Sequence, residues 1–275
     1  MHLQELHKTA SYFPSTSLMP CLFLGHGSPM NAIEENEFVI GFRRIALEIP
    51  KPKAILCISA HWETKGTRVT NMLYPRTIHD FGGFPKALFD VQYPAKGSPE
   101  LAFEIKKNLT KTEVQFDENW GLDHGAWSVL KHLYPLADVP VIQMSLDVNL
   151  SPQGHYDVAK QLAELRKKGI LIIGSGNMIH NLGLVHWQKL NDIGFAYDWA
   201  MEAREKMNHF ILNDDHDSLI HYKNNGHSFQ LSIPTPEHYI PLLYVLALKE
   251  KTEDLNLFND KALAGSLTMT SIKIG

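Results

Sequence analysis

Five histidines occupy positions where imidazole could do chemistry. His26 follows the apolar run 20–25 (PCLFLG), inside Gly25-His26-Gly27-Ser28-Pro29. His61 follows the run 53–60 (KAILCISA), and His180 lies a few residues beyond the run 169–174 (GILIIG), within Gly174-Ser175-Gly176-Asn177-Met178-Ile179-His180. His238 opens the last apolar segment after Pro234-Thr235-Pro236-Glu237, and His124 begins a helical pattern after Trp120-Gly121-Leu122-Asp123. A single histidine beyond a strand reads as a hydrogen-bonded loop residue. Three at separate strand exits, beside glycines that admit close backbone approach, point to one metal site. Imidazole with a carboxylate in reach suits iron(II), zinc or manganese better than calcium or magnesium. Two of the histidines with Glu237 would form a facial triad of the non-haem iron type, whereas His26, His61 and His238 would form a three-histidine site of the catalytic zinc type. The residues alone leave Glu237 and His238 as alternatives.

The elements that must position these side chains follow from hydrophobic periodicity. Strands are predicted at 20–25, 53–60, 67–73, 113–116, 139–145, 169–174 and 266–274. Helices are predicted at 31–49, 99–109, 125–133, 152–168, 192–213 and 236–248, with Ser98 capping the second and Glu100 in its first turn. Continuous Val/Ile/Leu runs between helices predict an α/β fold, a single domain whose mostly parallel central sheet is covered by helices on both faces. In such sheets ligands bind outside the carboxyl ends of the strands, where the histidines fall. The loop 74–93, rich in Gly, Pro and aromatics, reads as a lid or binding loop and carries His79. The expected organisation is a tail over 1–19 and a catalytic domain over 20–275. His132, His155 and His209, in or beside helices, read as solvated or structural.

Composition excludes several classes. The chain has 275 residues, 44% hydrophobic and 20% charged, with 15 histidines and a formal charge of −4. No long basic run appears, so no nucleic-acid partner is expected. The longest strongly apolar stretch, 240–248, is interrupted by Pro241 and falls far short of the roughly 20 residues a membrane helix needs. Residues 1–19 lack the apolar core of a secretory signal. Cys21 and Cys57 sit in apolar runs that read as neighbouring buried strands, and no CxxC occurs. A soluble, reducing, cytoplasmic setting is expected; nothing in the sequence specifies an oligomeric state. The glycine-rich turns at Gly25 and Gly174 fail the dinucleotide fingerprint at its third glycine, where Met30 and Ile179 stand. Without a G-x-S-x-G elbow, a serine hydrolase would have to use Ser28 or Ser175 in an unfamiliar setting.

Together these motifs resemble the DOPA-type extradiol ring-cleaving dioxygenases of the class III extradiol superfamily. The resemblance rests on His26-Gly27-Ser28-Pro29-Met30, Ser59-Ala60-His61-Trp62, Asp80-Phe81-Gly82-Gly83-Phe84-Pro85, Gly121-Leu122-Asp123-His124-Gly125-Ala126-Trp127, Gly174-Ser175-Gly176-Asn177 and Thr235-Pro236-Glu237-His238-Tyr239. It runs in order from residue 20 to 274 and leaves the tail uncovered. It implies His26, His61 and His238 as ligands of one divalent metal, the third being a glutamate in the protocatechuate-type branch. It implies His180 as an acid/base near the metal and a possible fourth ligand, and His124 as a second catalytic histidine facing the substrate. His79, Ser28 and Tyr239 are expected on the substrate or lid side.

The implied reaction opens a catechol such as 3,4-dihydroxyphenylalanine (DOPA) with O2, through a lactone, to a semialdehyde. A Lewis acid lowers the catechol pKa values, and a base titrating near neutrality, such as His180, takes the remaining proton. Iron(II) is expected for dioxygenase activity, while zinc, associated with bacterial relatives, is redox-inert and would leave the protein inactive or doing other chemistry. The expected partners are therefore a small aromatic diol and O2. A zinc-dependent hydrolase, or a non-oxidative or non-catalytic metal-binding relative on the same scaffold, is the competing reading.

Overall fold

The computed structural model describes residues 13–190 and 192–275. Its apolar runs form strands because nearly every position in them is covered from both sides. They are β1 (Cys21–Gly25), β2 (Ala54–Thr64), β3 (Thr67–Thr70), β4 (Val114–Asp117), β5 (Val141–Asp147), β6 (Ile170–Gly176), β7 (Leu255–Phe258), β8 (Ala262–Leu263), β9 (Leu267–Thr268) and β10 (Ser271–Ile274). One eight-stranded sheet runs in the order β4-β3-β5-β2-β6-β1-β10-β7, and β8 and β9 pair separately. The central four, β5-β2-β6-β1, are parallel, while β10 runs antiparallel to both β1 and β7. The α/β reading with a mostly parallel, two-faced sheet is therefore correct.

Period-2 alternation within the buried strands feeds two cores. Leu56, Ile58, Ile170 and Ile172 point into one, shared with the helices Pro99–Asn108, Pro152–Lys160, Asp198–Leu212 and Ile240–Leu246. Ile55, Cys57, Leu171 and Ile173 point into the other, against the helices Glu37–Glu48 and His124–Leu133. With β1, β2 and β6 parallel, their carboxyl ends share one edge of the sheet, which is what gathers His26, His61 and His180.

Several expected boundaries move for local reasons. The helix expected at 31–49 splits into a turn at Pro29–Ala32 and the helix Glu37–Glu48, because the Asn36 side chain accepts from the Phe38 and Val39 N–H groups and caps a new start. The segment 152–168 divides into Pro152–Lys160 and Ala163–Arg166, and 192–213 shortens to Asp198–Leu212. The last helix begins at Ile240, so Glu237 and His238 lie in the turn before it. β2 continues to Thr64 through a register shift between Ile58 and Glu63, which places His61 inside the strand instead of beyond it. The closing strand 266–274 breaks into β9 and β10, and the loop 74–93 contains the short helix Lys86–Phe89. Cys21 and Cys57 do not lie on neighbouring strands, since β6 separates β1 from β2. Both are free and buried, and burial raises their thiol pKa values, Cys21 to about 12. Of the expected tail, residues 1–12 lie outside the described residues. Its remainder is tied down by Thr16 and Met19 N–H groups donating to the Lys167 and Arg166 carbonyls at 2.6 and 3.0 Å. No helix among the described residues is long and apolar enough to cross a membrane.

Candidate active site

The five histidines converge at the carboxyl edge of the sheet. Ring centroids of His26, His61 and His238 form a nearly equilateral triangle with sides of 5.1, 5.0 and 5.3 Å. His124 lies 3.8 Å from His61 and 5.8 Å from His26, and His180 stacks on His238 at 3.6 Å with rings 10° from parallel. Close backbone approach makes this density possible. A Cβ on Gly176 would come within 2.1 Å of the His238 carbonyl oxygen, and one on Gly125 would lie 2.5 Å from Ser59 Oγ and 2.8 Å from the His61 ring. Only glycine fits at these two positions.

Hydrogen bonds fix which nitrogen faces inward in His26, His124 and His238. Ser175 Oγ donates to the Gly125 carbonyl at 2.5 Å, so toward His26 Nδ1, 3.0 Å away, it can only accept. Neutral His26 therefore carries its proton on Nδ1 and presents a bare Nε2. His124 donates through Nδ1 to Asp80 Oδ2 at 2.9 Å, and its backbone N–H donates to Asp80 Oδ1 at 2.9 Å. His61 Nδ1 lies 3.4 Å from the same Asp80 Oδ2, and His238 Nδ1 donates to Glu237 Oε1 at 3.1 Å. A hydroxyl or carboxylate thus holds the outer nitrogen of His26, His124 and His238.

The inner nitrogens then meet. His26 Nε2 and His61 Nε2 are 3.2 Å apart. Two lone pairs at that distance repel unless a shared proton or a cation lies between them. Two imidazoles on one tetrahedral ion, with bonds of about 2.0–2.1 Å, place their nitrogens about 3.4 Å apart. The donor set fits a divalent metal. Ligand atoms of His26, His61 and His124 lie within 4.8 Å of one another, as do those of His180, Glu237 and His238, so the cluster can hold an ion through more than one subset.

Electrostatics keep His26, His61 and His180 neutral. Burial first, and the neighbouring imidazoles second, push His26 well below its ordinary value, His61 down to about 2 and His180 to about 3. Burial alone would raise Glu237, but hydrogen bonds from His238, its own backbone N–H and Thr235 outweigh it and bring the carboxyl to about 2. Asp80 is likewise lowered against its burial, by its bonds from His124.

Other expected site residues lie elsewhere. Tyr239 is turned into the core, with its hydroxyl donating to the Leu219 carbonyl at 2.9 Å and its ring against Tyr222, so it does not face the histidines. Ser28 is exposed, and its Oγ accepts from the Met30 N–H, a capping role. His79 packs among Phe81, Phe89 and Trp127, with Nε2 3.0 Å from the Val91 carbonyl, and so braces the loop. Sequence patterns missed the supporting acids. Fully buried Asp123 caps the helix His124–Leu133 by accepting from the Ala126 N–H, and it also accepts from Ser59 Oγ and Gln143 Nε2, both at 2.7 Å. An acid immediately before a helix is a readable cap signal, whereas Asp80 carries none, since its hydrogen-bond partner His124 is 44 residues away.

Comparison with known proteins accords with this geometry. Residues 20–262 match the family model of the catalytic LigB subunit of aromatic ring-opening dioxygenase. The chain is 43% identical over 266 residues to a 4,5-DOPA dioxygenase extradiol of Escherichia coli K12, covering 95% of this chain and 96% of that protein. A 4,5-DOPA dioxygenase extradiol of Beta vulgaris is 34% identical, covering 91% and 94%. A crystal structure of an uncharacterized Escherichia coli K12 protein superposes with a TM-score of 0.81 at 39% identity, covering 94% of this chain and all of that one. The chain thus belongs to the LigB family of aromatic ring-opening dioxygenases and is a dioxygenase of the extradiol kind.

Proposed function

We propose that this enzyme opens the ring of a catechol, DOPA or a close relative, with O2, to give a semialdehyde, and that His26, His61 and His238 hold the divalent metal it needs. The carrying observation is the 3.2 Å approach of two inward Nε2 atoms, with His26 Nδ1 held from outside by Ser175 and His61 Nδ1 lying 3.4 Å from Asp80. The bound ion would act as a Lewis acid toward the catechol hydroxyls, and iron(II), unlike zinc, would also supply electrons to dioxygen.

The protein's own groups manage protons. His180 is neutral because burial and the His238 ring oppose its charge. An anionic catecholate opposes both effects and strengthens His180 as the base for the second hydroxyl proton. His124 is the complementary proton donor, its ring oriented by the Nδ1–H···Asp80 hydrogen bond. Phe81, 5.5 Å from His124 and edge-on, supplies an apolar wall beside the reacting ring. The two unpaired buried thiols suit a reducing cytoplasm.

Iron(II)-reconstituted protein mixed with DOPA is expected to consume oxygen and form a yellow product. The absence of oxygen uptake with DOPA and a panel of simpler catechols would overturn the reading. The all-imidazole donor set also suits a catalytic zinc hydrolase, which predicts turnover of a hydrolysable substrate by the zinc form with no oxygen consumed.

A further inference from the structure

A cavity of about 340 Å³ adjoins the candidate active site through Glu237, which lines it while its Oε1 accepts from His238 Nδ1 at 3.1 Å. Ligand atoms of Glu237 and His180 also lie within 4.8 Å of each other. Such a volume suits a small organic group. Leu146, Leu150, Pro152 and Ile240 give the cavity apolar walls, and Glu63, Asp147, Lys223 and Glu237 bring charge to it.

Two of these charges are already engaged. Asp147 Oδ1 accepts from the Gly66 N–H and from Asn149 Nδ2, both at 2.9 Å, and Glu237 Oε1 also accepts from Thr235 Oγ1 at 2.9 Å. The other two are not. Glu63, two residues beyond His61 on β2, and Lys223, in the turn Tyr222–Asn224, form no hydrogen bond or ion pair among the described residues. Burial, and then the neighbouring Glu237 carboxylate, push the Glu63 carboxyl above its ordinary value. One cavity thus presents an unpaired acid and an unpaired base beside apolar walls, the complement of a small zwitterion.

We propose that this cavity is the subsite for the amino-acid arm of the catechol, with Glu63 accepting from its ammonium and Lys223 donating to its carboxylate. The arm's methylene lies against the apolar walls. This rests on the reading of the enzyme as a catechol dioxygenase, and it makes Glu63 and Lys223 the side chains that separate an amino-acid catechol from a plain one. A free amino acid carries the same zwitterion, so the test must tell the two sources apart.

Calorimetric titration of zinc-loaded and chelator-treated protein provides that test without turnover. The probes are DOPA, its deaminated analogue dihydroxyphenylpropionate, its decarboxylated analogue dopamine, and alanine. Glu63→Gln is expected to bind DOPA and dopamine about tenfold more weakly, the low end for a charge-assisted bond at a solvent-exposed side chain, and to leave the propionate unchanged. Lys223→Met is expected to weaken DOPA and the propionate by a similar factor and to leave dopamine unchanged. Both positions are exposed, where substitutions shift stability little. Zinc-dependent catechol binding that ignores both substitutions, or that weakens equally for all three catechols, would overturn the subsite and leave the proposed function standing. Alanine binding that depends on Glu63 and Lys223, while the catechols ignore both, overturns the arm and gives the cavity to a free amino acid. Zinc-loaded protein that binds none of the catechols overturns both readings together.

Discussion

Replacing Ser175 by Ala isolates the tautomer control of the site. Ser175 is fully buried at the end of β6, and its Oγ accepts from His26 Nδ1–H while donating to the Gly125 carbonyl. Gly125 lies in the first turn of the helix His124–Leu133, so its carbonyl keeps an intrahelical partner; the orphaned group is the His26 Nδ1–H. A buried donor left unsatisfied costs about 1–3 kcal/mol. His26 can escape that cost by moving its proton to Nε2, where His61 Nε2 waits 3.2 Å away as acceptor. The metal-free variant then loses little stability, but both inward lone pairs are consumed. Metal must drive the proton back to the unpaired Nδ1, so affinity falls by the same 1–3 kcal/mol, a factor of about 5 to 150. Chelator competition with zinc measures the affinity, and 15N chemical shifts of the His26 ring report which nitrogen is protonated. An unchanged zinc affinity, or a His26 still protonated on Nδ1 in the variant, would refute the assignment of Ser175 as the tautomer-setting acceptor.

Two further outcomes are expected. His180→Ala should retain most of its metal and lose turnover by about 10²–10⁴, measured as oxygen uptake by iron(II)-loaded protein; near-wild-type turnover removes His180 as the acid/base. The metal-free protein should lose stability as pH falls below 6.5. His26, His61 and His180 all have folded pKa values depressed below their unfolded value, so the unfolded chain binds protons there that the native state refuses. The loss is about 1.4 kcal/mol per pH unit for each such group down to its folded value, read as a falling Tm between pH 7 and 5 in chelator. A Tm flat across that range would mean that these rings are not held neutral.

Much of the fold was legible because its signals are local. Buried parallel strands are continuous apolar runs, and a parallel sheet puts their carboxyl ends on one edge, so His26, His61 and His180 could be gathered before any coordinates. Helix ends were less legible, because the Asn36 cap and the turn at Glu237–His238 break patterns that hydrophobicity carries straight through. The direction of Tyr239 was not legible either. Which way a ring points from a turn depends on the packing of Leu219 and Tyr222, not on its neighbours in sequence.

By itself, then, the sequence determined the residue types, the order of strands and helices along the chain, and the histidines available to a metal. Tertiary structure decided which nitrogen of His26, His124 and His238 faces inward. For His26 and His124 that choice is made by acceptors distant in sequence: Ser175 is 149 residues from His26, and Asp80 is 44 from His124. A tautomer is set by the hydrogen bond on the opposite side of the ring, and no local pattern encodes a partner that only folding brings within 3 Å.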